Sequence, residues 1–190
     1  AAGIEAIELQ PRQAHGLAVA LLRRAKNDTI DASIIARLVE VLNGPWKQPP
    51  PAHLEALAEA LTYIDMLDDR LVVLKTQRER FSSKRLLDRF DKEIKALEKR
   101  QRSELRCLIA RLRDHPEMSD NLDLLLSIPT VGERSAAAML IRMPELGSMT
   151  REQAASMLGV APFDDKSAKR DGQRHIAGGR ARLRKTVYMA

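Results

Sequence analysis

Apolar residues recur every three or four positions through most of this chain. Leu54, Leu57, Leu61, Ile64, Leu67, Leu71 and Leu74 keep that spacing with one shift of register, the period of one face of an α-helix. After Phe81-Ser82-Ser83 the stripe resumes at Leu87, Phe90, Ile94, Leu97, Leu105, Leu108 and Leu112, with Glu93, Lys95, Glu98 and Lys99 on the outer face. Two stripes with charged flanks predict a helical hairpin or coiled coil, closed on itself or shared with a partner. Gln101 interrupts the second stripe and suits a role in fixing register. A two-helix hairpin buries little by itself, so a homo-oligomer formed through these helices is expected.

Shorter patterns flank the hairpin. Ile4 to Leu9 alternates apolar and acidic residues, a strand signal. Pro11 opens a helix expected to reach Arg24, because proline is tolerated in a first helical turn. A second helix is expected from Thr29 to Leu42. Asn43 to Pro51, ending in three prolines, stops it and reads as a stiff linker, with Trp46 as its packing anchor. His115-Pro116 ends the long helical pattern. Asn121 to Ser127, then Ile128-Pro129-Thr130-Val131-Gly132, then Glu133 to Arg142 reads helix, tight turn, helix. That is either a helix-hairpin-helix, whose Val131 and Gly132 amides would face a phosphate, or an ordinary packed corner. Thr150 and Gln153 form a capping box for a helix through Leu158. Gly159 to Ile176 is loop or short hairpin, and Gly178-Gly179 precedes a last helix carrying Arg180, Arg182, Arg184 and Lys185. The organisation is therefore 1–42, a linker at 43–51, a helical hairpin at 52–116, and a helical C-terminal part at 117–190. The fold class is mostly α.

Composition agrees. Aromatics are 3% and charged residues 31% of the 190 residues, so the core must come from Leu, Ile, Val, Ala and Met, which favours helices. The net charge is +6, and from Asp164 to Ala190 eight Lys/Arg stand against three Asp. So local a basic excess suits a polyanion, DNA or RNA. Cys107 is the only cysteine, which excludes an intramolecular disulfide and a cysteine-rich zinc site; it falls in an apolar row and is expected in the core. No membrane span or secretory signal is visible, which points to a cytoplasmic protein.

Two places could carry chemistry. Asp28 and Asp31 are spaced i, i+3, which puts both carboxylates on one helix face. They suit a Mg²⁺ ion that takes its other ligands from substrate phosphates, with Lys26 close by to offset charge. They also suit capping, Asp28 as N-cap and Asp31 meeting the helix dipole, which on spacing alone is the stronger reading. Ser167 lies among Lys166, Lys169, Arg170, Arg174 and His175. It reads as a solvated loop serine, or as a nucleophile whose neighbours orient a scissile phosphate, with His175 able to pass a proton.

Three ordered blocks carry a family resemblance. Pro11-Arg12-Gln13 with Ala25 to Ala32 resembles a PRQ…AK-x-D-x-x-DA signature. Leu125 to Gly132 resembles L-x-x-I-P-G-V-G, with Thr130 where the family has glycine. Gly159-Val160-Ala161-Pro162-Phe163 to Ser167, then Ile176 to Arg180, Leu183-Arg184-Lys185 and Tyr188-Met189-Ala190, resembles GLAP…S…GGR…LR…YMA. The chain thus resembles the DEDD-type insertion-sequence transposases of the IS-one-ten group, which includes Piv-like invertases and bridge-RNA-guided serine recombinases. The resemblance implies that 1–42 is the end of a RuvC-like domain, with Asp28 and Asp31 as the third and fourth acidic Mg²⁺ ligands. It implies a coiled coil for assembly, Ser167 as the residue that joins DNA through a phosphoserine, and a guide RNA as a further partner. The first Asp and the Glu of the family would precede Ala1, and the family continues past Ala190. The chain is accordingly expected to be a fragment, inactive alone, of a DNA recombinase. The alternatives are a non-enzymatic helix-hairpin-helix nucleic-acid-binding protein and a coiled-coil assembly module.

Overall fold

A computed structural model describes residues 7, 9–22, 27–42, 50–163, 166–167, 170–171, 173–176 and 178–189. The described chain is mostly helical and divides into two compact units, Ala1–Pro51 and Ala52–Ala190. No described helix is long and apolar enough to cross a membrane.

The first unit pairs α1 (Pro11–Ala20) with α2 (Asp28–Leu42). Pro11 occupies the first turn of α1, where its missing N–H costs nothing, but the helix stops at Ala20 rather than Arg24. Ile34 and Leu38, one turn apart, are the buried residues of α2. The N-cap of α2 differs from expectation. Asn27 Oδ1 accepts from the Ile30 amide at 2.8 Å, so Asp28 is the first helical residue. Of the expected strand Ile4–Leu9, only Ile7 and Leu9 are described, and neither is in a strand. Lys26, Trp46 and most of the proline linker lie outside the described residues.

The second unit starts with an antiparallel hairpin of α3 (Ala52–Arg78) and α4 (Lys84–Arg113). Leu54, Leu57, Leu61, Ile64, Leu67 and Leu71 of the first stripe are all buried, as are Ile94, Leu108 and Leu112 of the second. Cross-hairpin pairs fix the register: Arg78 grips Asp91 with two bonds of 2.6 and 3.0 Å, Lys75 meets Glu98 at 2.9 Å, and Gln101 donates to Asp68. Phe81 stacks on Phe90 at the tip, 5.4 Å between ring centroids. Cys107, expected in the core, is exposed. The buried face of α4 there runs through Leu108, Ile109 and Leu112, and a residue one step before Leu108 points about 100° away from it.

The lower half of the hairpin shares its core with the four remaining helices. Helices α5 (Pro116–Leu126), α6 (Glu133–Arg142), α7 (Arg151–Leu158) and α8 (Ala181–Tyr188) complete the unit, and Leu122, Leu125, Ala136, Ala137, Ala138, Ile141, Met143 and Leu183 join Leu57, Leu61 and Leu112 in one cluster. Pro116 ends the α4 pattern, as expected, and also opens α5 as its first residue. Three consecutive alanines with no exposed surface let α6 lie close against its neighbours.

Thr130 in the α5–α6 turn has φ 78°, a left-handed conformation that costs a side chain with a branched Cβ roughly 1–2 kcal/mol. A glycine, as in the L-x-x-I-P-G-V-G pattern this turn resembles, would occupy this position without strain. Thr130→Gly is therefore expected to gain about 1 kcal/mol after the greater unfolded-state entropy of glycine is subtracted, raising Tm by about 3 °C. A thermal melt that shows no rise would mean that the threonine side chain compensates for its own backbone.

Candidate nucleic-acid site

Between α7 and α8 the chain builds a narrow ribbon. Thr150 caps α7 by accepting from the Gln153 amide at 3.3 Å while Gln153 Oε1 accepts from the Thr150 amide at 2.9 Å. Gly159 ends α7 in the left-handed conformation, φ 72°. Strand β1 (Pro162–Phe163) then pairs antiparallel with β4 (His175–Ile176), and β2 (Lys166–Ser167) with β3 (Arg170–Asp171). Ser167 is in register with Arg170, so the candidate nucleophile lies on the last paired rung, separated from a cation by two intervening residues. Of the cations expected around it, Lys169 lies outside the described residues. Arg174 and His175 are exposed on the return strand side of the ribbon.

The ribbon is tied down by backbone contacts that need glycine. Gly178 and Gly179 have φ 68° and 69°. A Cβ on Gly179 would strike the Cα and N of Gly159, and one on Gly159 would strike the Gly178 carbonyl and Arg184. The Arg180 amide donates to the Met157 carbonyl at 2.8 Å. These contacts join Gly159, at the start of Gly159-Val160-Ala161-Pro162, to Gly178-Gly179-Arg180.

Arg180 precedes α8 as its N-cap residue rather than riding on it. Its guanidinium is partly buried and holds Glu145 through Nη1–Oε2 2.9 Å and Nη2–Oε1 2.8 Å, with a further bond to the Arg142 carbonyl. Arg182 reaches Asp65 on α3 at 3.0 Å while remaining 61% exposed. Arg184 Nη1 donates to the carbonyls of Gly159 and Gly178 at 3.1 and 2.9 Å. Lys185, in the last turn of α8, is exposed. The basic helix thus divides its labour: Arg180 and Arg184 face inward, whereas Arg182 and Lys185 present charge outward.

Sequence reasoning missed the group that Arg182 joins. The Asp65 carboxylate receives Arg134 and Arg142 of α6 as well, and Arg134 also reaches Asp68 at 3.1 Å. Burial pushes the Asp65 carboxyl up, but the Arg142 hydrogen bond and the charges of Arg134 and Arg142 outweigh it and hold its pKa below the usual carboxylate value. The network borders a cavity of about 420 Å³ that Lys185 and Thr186 also line. The one sequence signal was that Asp65 and Asp68 each stand directly after a stripe residue, Ile64 and Leu67, on α3.

In the α5–α6 turn, the Val131 amide is taken by the Ile128 carbonyl at 3.2 Å, and its side chain packs against the core. Gly132 caps α6 from an exposed position with open space around it. Of the two amides expected to meet a phosphate, that of Gly132 is the one left available among the described residues.

Asp28 and Asp31 belong to the first unit, both in the first turn of α2. Neither carboxylate has an ion-pair partner among the described residues, and two free carboxylates on one helix face fit what Mg²⁺ takes from protein when phosphates supply the rest. Among the described residues no third His, Cys, Asp or Glu joins them. No curated protein matches the chain. Residues 122–190, which run from α5 through the glycine clamp and serine ribbon to α8, match the model of the Transposase IS116/IS110/IS902 family, and that match supports a transposase or recombinase of the insertion-sequence type.

Proposed function

We propose that the chain serves DNA strand cleavage and rejoining in a serine-dependent transposase, with Ser167 as the nucleophile. The observation that carries this reading is the register of the ribbon: Ser167 sits opposite Arg170, at the end of a hairpin anchored by the glycine clamp, inside the segment that matches a transposase family. In the step proposed, Ser167 Oγ forms a bond to the scissile phosphorus and one P–O bond to a sugar oxygen breaks. The serine proton leaves to a base, and the departing sugar oxygen takes up a proton to become a hydroxyl. His175, on β4 of the ribbon, would serve in that exchange. Lys166, Lys169, Arg170 and Arg174 would hold the phosphate and its developing charge, while Arg182, Lys185 and the Gly132 amide would contact flanking backbone. Because the bond energy is kept in a phosphoserine, the free strand end can reverse the reaction on a new partner, which is recombination rather than hydrolysis.

Asp28 and Asp31 are the residues that would hold Mg²⁺, which when bound would offset the charge of a phosphate and act as a Lewis acid on it. A guide RNA would find the same cationic surface, and assembly of copies would use the long hairpin, whose Tyr63, Met66, Val72 and Val73 are exposed.

The open reading frame containing this sequence, expressed in full, should give a covalent protein–DNA adduct with Mg²⁺, element-end DNA and the adjacent non-coding RNA. Ser167→Ala should reduce adduct yield by at least about a thousandfold while salt-sensitive DNA binding persists. An adduct that survives in Ser167→Ala would assign the nucleophile elsewhere. Binding without any adduct in either protein would favour a nucleic-acid-binding role without chemistry.

A further inference from the structure

We infer that Arg184 is a positioning residue: one guanidinium nitrogen closes the base of the loop that carries Ser167. The inference rests on the reading of Ser167 as the nucleophile. Arg184 Nη1 donates to the carbonyl of Gly159, the last residue before the loop, at 3.1 Å, and to that of Gly178, the first glycine after it, at 2.9 Å. A single donor group therefore fixes the distance between the two ends of residues 160–177. The ribbon inside carries that constraint inward, since β1 pairs with β4 and β2 with β3 in a nested antiparallel order.

Arg184 is itself held. It follows Leu183, which has no exposed surface and anchors α8 in the core, and the Arg184 amide bonds to the Arg180 carbonyl at 3.0 Å. Arg180 in turn is fixed by Glu145. The clamp thus stands on the rigid part of the unit, the arrangement that holds a reactive group within the tolerance chemistry needs. Both acceptor carbonyls come from glycines in left-handed conformations. One cationic donor satisfies both of these carbonyls at once.

The test compares Arg184→Met, which keeps an unbranched apolar stem but has no donor, with Arg184→Lys, which keeps a cationic donor at the end of its stem. Three readouts are taken on the full open reading frame: amide exchange across 160–177, DNA affinity, and adduct rate at saturating DNA. Arg184→Met should lose protection in 160–177 with α3 and α4 unchanged, keep DNA affinity within about threefold, and form adduct about a hundredfold more slowly, the cost of misplacement by about 1 Å. Arg184→Lys should recover most of both losses; if Arg184→Met does not fold, a normal loop and rate in the lysine variant against a damaged loop in Arg184→Gln decides the matter. Unchanged protection in 160–177 would overturn the clamp. Lost protection with an unchanged Ser167-dependent adduct rate would overturn its role in positioning. An adduct that is absent, or indifferent to Ser167→Ala, would instead overturn the nucleophile reading, with amide exchange still deciding whether Arg184 closes the loop.

Discussion

Replacing Gly179 with alanine is expected to cost at least about 3 kcal/mol, whereas the same change at the adjacent Gly178 should cost about 1 kcal/mol. The two residues have nearly the same backbone conformation, φ 69° and 68°, so the intrinsic penalty for a Cβ in the left-handed region is the same for both. Their surroundings differ. A Cβ on Gly178 meets nothing within 4 Å, while one on Gly179 collides with the Cα and N of Gly159 and approaches the Leu158 carbonyl carbon. These are backbone atoms at the end of α7, and they cannot swing aside as a side chain would. The Gly179 variant must therefore part α7 from α8, stretching the Arg180–Met157 hydrogen bond and the Arg184 clamp on the way. Urea titrations of the two variants check this. Equal losses would show that the close approach of the two glycines is not what holds this corner. Under the proposed function, Gly179→Ala should also lower the adduct rate by more than its loss of folded protein explains, because the base of the Ser167 loop is what opens.

The long hairpin was legible because its information is local. Six residues of the first stripe, Leu54 through Leu71, are spaced for one face of one helix, and all six are buried. The Thr150 box was legible for the same reason: both partners lie within one turn. Where a local rule admits two answers, the residues alone could not choose. Asn27 and Asp28 are both short polar acceptors, and Asn27 takes the capping role. Cys107 neighbours the buried row of α4 and shares its apolar character, yet one step along a helix turns it outward. Arg180 could not be separated from the arginines of α8 by charge pattern. Its inward course comes from the two left-handed glycines that end before it and from Glu145, 35 residues earlier. Thr130 is instructive in the opposite direction. The residue departs from the family pattern while the backbone keeps the conformation a glycine would favour, so the turn is specified by its packing rather than by that residue.

The Asp65 network was the least legible part of the molecule, because its partners lie 69, 77 and 117 residues away on α6 and α8. No periodicity or motif marks such a group. What it does can be stated physically. Asp65, 14% exposed, neutralises two arginines that are themselves only 26% and 16% exposed, and it ties α3 to the elements that hold the serine ribbon. Nε and Nη1 of Arg134 are buried with no acceptor, so that guanidinium depends on Asp65 and Asp68 for its compensation.

Asp65→Asn is therefore expected to destabilise the protein by about 2–3 kcal/mol at neutral pH, somewhat below the 3–5 kcal/mol of a fully buried pair because the site keeps some solvent. The folded carboxyl has a lowered pKa, so its contribution is complete above the unfolded value of about 3.9 and is lost as pH falls through the folded one. The gap between wild type and Asp65→Asn should accordingly be constant from neutral pH down to about 5 and narrow below about 4. A gap that keeps its full size in acid would mean that the asparagine fails by shape or hydrogen-bond geometry, not by loss of charge. DNA binding should move the other way. Removing the carboxylate releases Arg182, already 61% exposed, and adds one positive charge beside Lys185. Non-specific affinity at low salt should rise and the salt dependence should steepen by about one phosphate contact. A variant less stable yet more tightly bound would separate the two roles of this helix: the same arginine that α3 uses to hold α8 in place is one that a phosphate can claim.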